Sequence, residues 1–224
     1  MDADEFALRR KIIEACATMK ARGFNQGKPA NVSARLGAAI LITPSSLPYD
    51  EMKPWDLAQM PIDGEYGAWT GPHAPSMEWR IHIDVARSRP DVGAIVHTHS
   101  LYATVLGICG REIPAIHYMI ATCGGPTVRV APYATVGTKD LSERVLKALE
   151  GRNACLLANH GAIAVGPDLR YVLALAEEVE NLAKQYYLAV QIGDVRVLSD
   201  DEVATVINRM KTDGFVRAAR AAID

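Results

Sequence analysis

The sequence predicts a single α/β domain spanning residues 1–224, with a central, mostly antiparallel β-sheet flanked by helices. Three observations lead there. The chain is 49% apolar and 22% charged, enough for one sizeable core, and no linker-like stretch divides it. Short runs of β-forming residues come in pairs split by turn residues, the signature of hairpins. Segments of helical period lie among them without the strict strand–helix alternation of a parallel sheet.

The elements follow in order. Leu8, Ile12, Cys16 and Met19 recur at helical spacing, and Gly23 stops the helix. Two apolar runs, 31–36 and 38–43, are split by Gly37 and read as paired strands, and the stretch from Pro44 to Pro48 is a loop. A weak strand and turn are expected around Gly64, Gly67 and Gly71. From Ser76 the pattern turns helical: Trp79, Ile83 and Ala86 share a face, and the helix ends before Pro90. Residues 92–96 form a buried strand leading into His97, Thr98 and His99.

The next helix, 101–108, is closed by Gly110, and 127–131 is a short strand. Thr138 caps a helix over 139–149, where Val145 and Leu149 share a face. Strands 154–158 and 162–165 flank the turn Asn159, His160, Gly161. A long helix runs from Asp168 to about Ile192 with Val172, Leu175, Val179, Leu182 and Tyr186 as its stripe. Ser199 and Glu202 fit a capping box for a last helix over 200–211.

Charge and composition exclude several function classes. Lys plus Arg is 24 and Asp plus Glu is 26, a net charge of -2, so the basic surface of a sequence-independent nucleic-acid binder is missing. No run approaches the roughly 20 apolar residues of a membrane span, and the first residues, acidic and then mixed, lack the pattern of a signal peptide. Cys16, Cys109, Cys123 and Cys155 are scattered among apolar or small residues. They read as four buried thiols in a reducing compartment, so a cytoplasmic protein is expected.

The sharpest chemical signal is His97 and His99. In a strand, residues two apart project to one side, the arrangement two metal ligands need. The plain alternative is a strand end with two half-exposed histidines. His160, presented at a tight corner between two apolar strands, can complete three nitrogens around Zn²⁺; alone it would read as a turn histidine bonded to backbone. Glu78, in the first turn of its helix, is kept ionised there and can ligate a metal or exchange a proton. A simple helix-dipole glutamate is the alternative. Of the remaining histidines, His73 reads as loop surface, His82 as an i,i+4 partner of Glu78 on the helix face with a fifth metal partner as the alternative, and His117 as structural.

Several blocks are similar to the class II aldolase/adducin family: Gly23 to Gly27, Asn31 to Ser33, Leu41 to Pro44, Pro75–Ser76 with Glu78 to Arg80, Ser88 to Pro90, Val96 to His99, Ala131 to Thr135 with Gly137–Thr138, and His160–Gly161. Residues 113–121 resemble its fuculose-phosphate aldolase branch, and the likeness runs from about residue 10 to about 213.

The resemblance implies a metal-dependent lyase that reversibly cleaves a ketose 1-phosphate to dihydroxyacetone phosphate and an aldehyde. His97, His99, His160 and Glu78 would hold Zn²⁺, with Mn²⁺ or Co²⁺ as possible occupants of the same ligands. Glu78 would be the general base once substrate displaces it, and Tyr118, reaching in from a neighbouring subunit of a homotetramer, the acid at the aldehyde oxygen. Asn31, Ser45, Ser46 and Ser76 would bind the donor phosphate.

The chain departs from the family at that last site. Met77 stands where the family carries a second serine, Ala30 replaces a glycine, Ser45–Ser46 replaces a Thr-Gly pair, Val136 replaces an aromatic, and a tail tyrosine is replaced around Asp213. A thioether donates no hydrogen bond to phosphate. An unphosphorylated ketose, or a decarboxylation through the same kind of enolate, is therefore the alternative donor chemistry. A sugar-phosphate 4-epimerase and a metal-free adducin-like module are further readings, and the module predicts lost ligands.

Overall fold

Alternation along the strands decides which side chains meet which helical layer. The computed structural model describes residues 1–24 and 30–212. Seven strands, β1 (Asn31–Leu36), β2 (Ala39–Ile42), β3 (Ala58–Pro61), β4 (Ala94–Thr98), β5 (Arg129–Ala131), β6 (Ala154–Leu157) and β7 (Gly161–Gly166), form one sheet in the order β3-β2-β1-β4-β7-β6-β5. Every pairing is antiparallel except that of β5 with β6. The helices are α1 (Ala3–Ala21), α2 (Trp79–Ser88), α3 (Leu101–Ile108), α4 (Lys139–Ala148), α5 (Leu169–Ile192) and α6 (Asp200–Thr212). None among the described residues is long and apolar enough to cross a membrane.

On one face of the sheet, Val32, Val96 and Ala164 pack with Ile12 of α1 and with Val179 and Leu182 of α5. On the other, Ile95, Ile163 and Val165 pack with Ile81 and Val85 of α2 and Val145 of α4. A third cluster joins Ile40, Ile42 and Met60 to Ile83 and Ala86 of α2. Each fully buried aliphatic side chain contributes about 1.5–3 kcal/mol, so these layers hold the sheet. Between the second and third clusters runs β1, which contributes the buried polar side chains Asn31 and Ser33. A polar seam in such a place is costly unless every group finds a partner.

Caps fall where the residues call for them. The Thr138 side chain accepts a bond from Leu141 N, Asp168 accepts one from Tyr171 N, and Ser199 and Glu202 close a reciprocal box. The strand expected around 64–71 is displaced: β3 precedes it, and the later segment adds only a bridge between Gln59 and Thr70. Cys109 is also corrected. It caps the C-terminal end of α3 and is exposed, whereas Cys16, Cys123 and Cys155 are buried as expected. The block Gly23 to Gly27 runs into residues 25–29 and the replaced tail tyrosine falls at Asp213, so these two comparisons lie outside the described residues.

Candidate metal centre

β4 delivers the first ligand. Its residues alternate, Val96 toward α5 and His97 toward α2, and His97 is completely buried. His97 Nδ1 lies 3.0 Å from the Ala162 carbonyl on the paired strand β7. That oxygen can only accept, so Nδ1 carries the proton and Nε2 is free to face the site. His99 follows just beyond the strand and brings its Nε2 to 2.8 Å from that of His97. The segment after it is fixed by Glu180 of α5, whose two carboxylate oxygens accept from Tyr102 N and Ala103 N at 2.9 Å each.

His160 comes from the β6–β7 turn, with Asn159 in the left-handed region at φ 56°. Gly161 makes the corner possible by close approach: a Cβ there would lie 2.1 Å from Thr98 O and 3.0 Å from the His99 ring. Glu78 sits at the N-cap of α2, one residue before the helix in which it was expected. Its backbone N donates to Ser76 Oγ at 3.3 Å.

One ligand atom from each of Glu78, His97, His99 and His160 lies within 4.8 Å of the others. Glu78 Oε2 is 3.1 Å from His97 Nε2, and Oε1 is 3.2 Å from His160 Nε2. Oε1 is buried with no hydrogen-bond partner. Three imidazole nitrogens and a carboxylate thus converge, with one carboxylate oxygen left without a hydrogen bond. A divalent cation satisfies all four at once, so the residues fit a metal.

The titration tendencies agree. Burial alone would raise the Glu78 carboxyl, but the charge and hydrogen bonding of His97, followed by His160 and Asn31, outweigh it and hold the group well below the usual carboxylate range. Burial pulls His97 down and Glu78 more than restores it, so its basicity rises. Burial, reinforced by His97, lowers His160 to about 4.

The other expected residues divide. Pro44 and Pro75 form a bridge, Ser45 N donates to Ala74 O, and Ser76 N donates to Thr43 O. Ser45, Ser46 and Ser76 are thereby set on two adjoining loops next to Glu78. Ser46 has φ 62°, and Met77 is 64% exposed. Asn31 is engaged with Glu78 itself: its Nδ2 donates to Oε2 at 2.8 Å. Tyr118 opens a 3-10 helix over Tyr118–Cys123, is 48% exposed and stacks on His117 at 4.7 Å. His73 is exposed, 3.4 Å from Asp56.

His82 departs from expectation. It makes no pair with Glu78 on the helix surface; it is wholly buried, with Nδ1 2.7 Å from Ser33 Oγ and Nε2 2.5 Å from Asn31 Oδ1. The helix spacing alone gave its angle, and only the docking of α2 over β1 turned that angle inward.

A cavity of about 1240 Å³ lies at the other end of the sheet, lined by Asp91, Asn153 and Gly166. It contains none of the four ligands, and the chemistry follows the ligands.

A mixed sheet between helical layers with a His₃-carboxylate cluster at the strand ends defines a candidate metal centre. The family profile of the Class II Aldolase and Adducin N-terminal domain matches residues 10–187, and the chain belongs to that family. It is 46% identical over 214 residues to the 5-methylthioribulose-1-phosphate/5-deoxyribulose-1-phosphate aldolase of Rhodospirillum rubrum, covering 96% of each chain. It is 46% identical over 209 residues to the L-fuculose phosphate aldolase of Escherichia coli, covering 93% of this chain and 96% of that one. A solved L-fuculose 1-phosphate aldolase superposes with a TM-score of 0.88 at 37% identity, over 94% of this chain and 98% of its own.

Proposed function

We propose that the protein is a Zn²⁺-dependent aldolase that reversibly cleaves a ketose 1-phosphate to dihydroxyacetone phosphate and an aldehyde, acting as a cytoplasmic homotetramer. The observation that carries this is the four-ligand cluster standing intact in a chain close to two sugar-phosphate aldolases. The substrates named for those relatives share the ketose 1-phosphate head and differ in the part that leaves as aldehyde, so the proposal takes the shared head.

Zn²⁺ on these ligands would supply Lewis acidity, drawing charge from the ketose carbonyl and from the enediolate that forms when the carbon–carbon bond breaks. The residues do the rest. The partner subunit's Tyr118 takes the proton from the hydroxyl that becomes the aldehyde oxygen. The bond electrons pass to the donor carbon, and Glu78, protonated from solvent before this step, delivers its proton there to complete dihydroxyacetone phosphate, while the proton taken by the partner's Tyr118 passes back to solvent. In synthesis both transfers reverse. A base must approach its carbon without competing hydrogen bonds, and Glu78 Oε1 meets that condition. Ser45, Ser46 and Ser76 offer hydroxyls for the phosphate from the two loops beside Glu78. Asn31 has one amide hydrogen left for it beyond the bond to Glu78.

The exposure of Met77 beside Ser76 supports a second reading, in which the donor is not phosphorylated. Retro-aldol turnover of L-fuculose 1-phosphate and 5-deoxyribulose 1-phosphate, set against free L-fuculose, separates them. Release of dihydroxyacetone phosphate from either phosphate ester is expected. Turnover of the free sugar alone would refute the first reading.

A further inference from the structure

The polar seam behind the metal cluster has a direction. Ionised Glu78 only accepts hydrogen bonds, so the Asn31 atom facing Oε2 is the amide nitrogen, as placed at 2.8 Å. The Asn31 carbonyl oxygen must then face His82 Nε2, 2.5 Å away. A carbonyl only accepts, so Nε2 carries a proton. In the neutral ring Nδ1 is then bare, and it accepts from Ser33 Oγ at 2.7 Å. Every member of the chain Ser33–His82–Asn31–Glu78 has one hydrogen-bonding role compatible with its neighbours. Flipping the Asn31 amide, or the tautomer of the neutral His82 ring, sets two acceptors face to face.

The fold builds this chain from separate pieces. Asn31 and Ser33 are two apart on β1, Asn31 is the cross-strand partner of His97, and His82 is one turn beyond Glu78 on α2. Apolar clusters close the seam on both sides, with Ile95 and Ile81 on one and Ile42 and Ile83 on the other. Water therefore does not substitute for a missing partner.

We infer that His82 is a positioning residue for Glu78: its Nε2–H locks the Asn31 amide, and through it Oε2, leaving Oε1 as the carboxylate oxygen without a hydrogen bond. The inference rests on Glu78 being the reacting carboxylate. Burial also lowers His82 to about 3, in keeping with a ring that stays neutral. Partners behind a metal site of this kind change affinity or rate about 10–100-fold when removed.

The test uses the full chain labelled with ¹⁵N-histidine, free of metal and loaded with Zn²⁺, with His82→Gln assigning the signal. Long-range proton–nitrogen correlation is expected to show His82 protonated at Nε2 and bare at Nδ1 in both forms. A proton on Nδ1, or on both nitrogens, overturns the inference. Kinetics supply the second arm. His82→Leu is expected to lower kcat about 10–100-fold with KM and zinc stoichiometry unchanged, and His82→Gln, which keeps a donor, to recover most of the loss. Equal kcat in the wild type and both variants, or activity lost only in step with zinc, makes His82 a support of the fold and refutes the positioning role. If the Leu variant fails to fold, the tautomer decides. If the wild type turns over no sugar or sugar phosphate, the proposed function fails, while the tautomer still decides the relay.

Discussion

Two hairpins look alike in the sequence, each a pair of apolar runs joined by a short turn with a glycine, yet they serve the site in opposite ways. β1–β2 contributes its strand: Asn31 and Ser33 face the seam, while the turn at Gly37 stands clear, with φ 54° and nothing within 4 Å of where a Cβ would be. β6–β7 contributes its turn: His160 is a candidate ligand, and Gly161 is pressed against Thr98 and His99. A turn is free to vary when the strand behind it carries the chemistry, and it is fixed when it carries the ligand.

Substitution at the two glycines breaks or sharpens that contrast. Gly161→Ala sets a methyl against a backbone oxygen, with no rotamer to relieve it, so β7 must leave β4 at the ligands. We expect a melting temperature lower by about 10 °C and loss of stoichiometric zinc, read by thermal unfolding and metal analysis. A variant with normal zinc would show that the corner is not constrained.

Within the site, Glu78→Gln should lower turnover about 10³-fold with the fold intact, and Tyr118→Phe about 10²-fold with zinc content unchanged. Loss of zinc from the tyrosine variant would make that residue structural.

The strand side of the contrast titrates. His82 has a folded value of about 3 against an ordinary 6.5. Below pH 6.5 the unfolded chain takes up a proton that the folded chain refuses. The contribution of this group to stability is therefore complete above pH 6.5 and is lost as pH falls toward 3. Between pH 7 and pH 5 the metal-free wild type should lose about 2 kcal/mol relative to His82→Gln, measured by urea unfolding. Parallel losses would contradict a neutral buried ring. The smallest effect belongs to Gly37→Ala, about 1 kcal/mol for a left-handed alanine in open space, or about 3 °C.

Much of this was legible in the residues, and the exceptions have physical causes. His97, His99, His160 and Glu78 stood out because strand alternation and tight turns constrain where such side chains point. The caps at Thr138 and Ser199 were readable because capping is local. β3 was not: Ala58–Pro61 is short, ends in proline and lies at the sheet edge, where pairing with β2 rather than its own composition makes it a strand. Cys109 resembled its three buried counterparts until the end of α3 placed it at the surface. The link from Asn31 to His82 depends on which strand pairs with β4 and which face of α2 meets it, and no spacing along the chain encodes that.

X-ray absorption at the zinc edge of the reconstituted protein bears most directly on the metal centre. One ion per chain is expected, with only nitrogen and oxygen neighbours at about 2.0–2.1 Å and the scattering pattern of three imidazoles. Sulfur in the shell, fewer than three imidazoles, or no stoichiometric ion would contradict the assignment of Glu78, His97, His99 and His160.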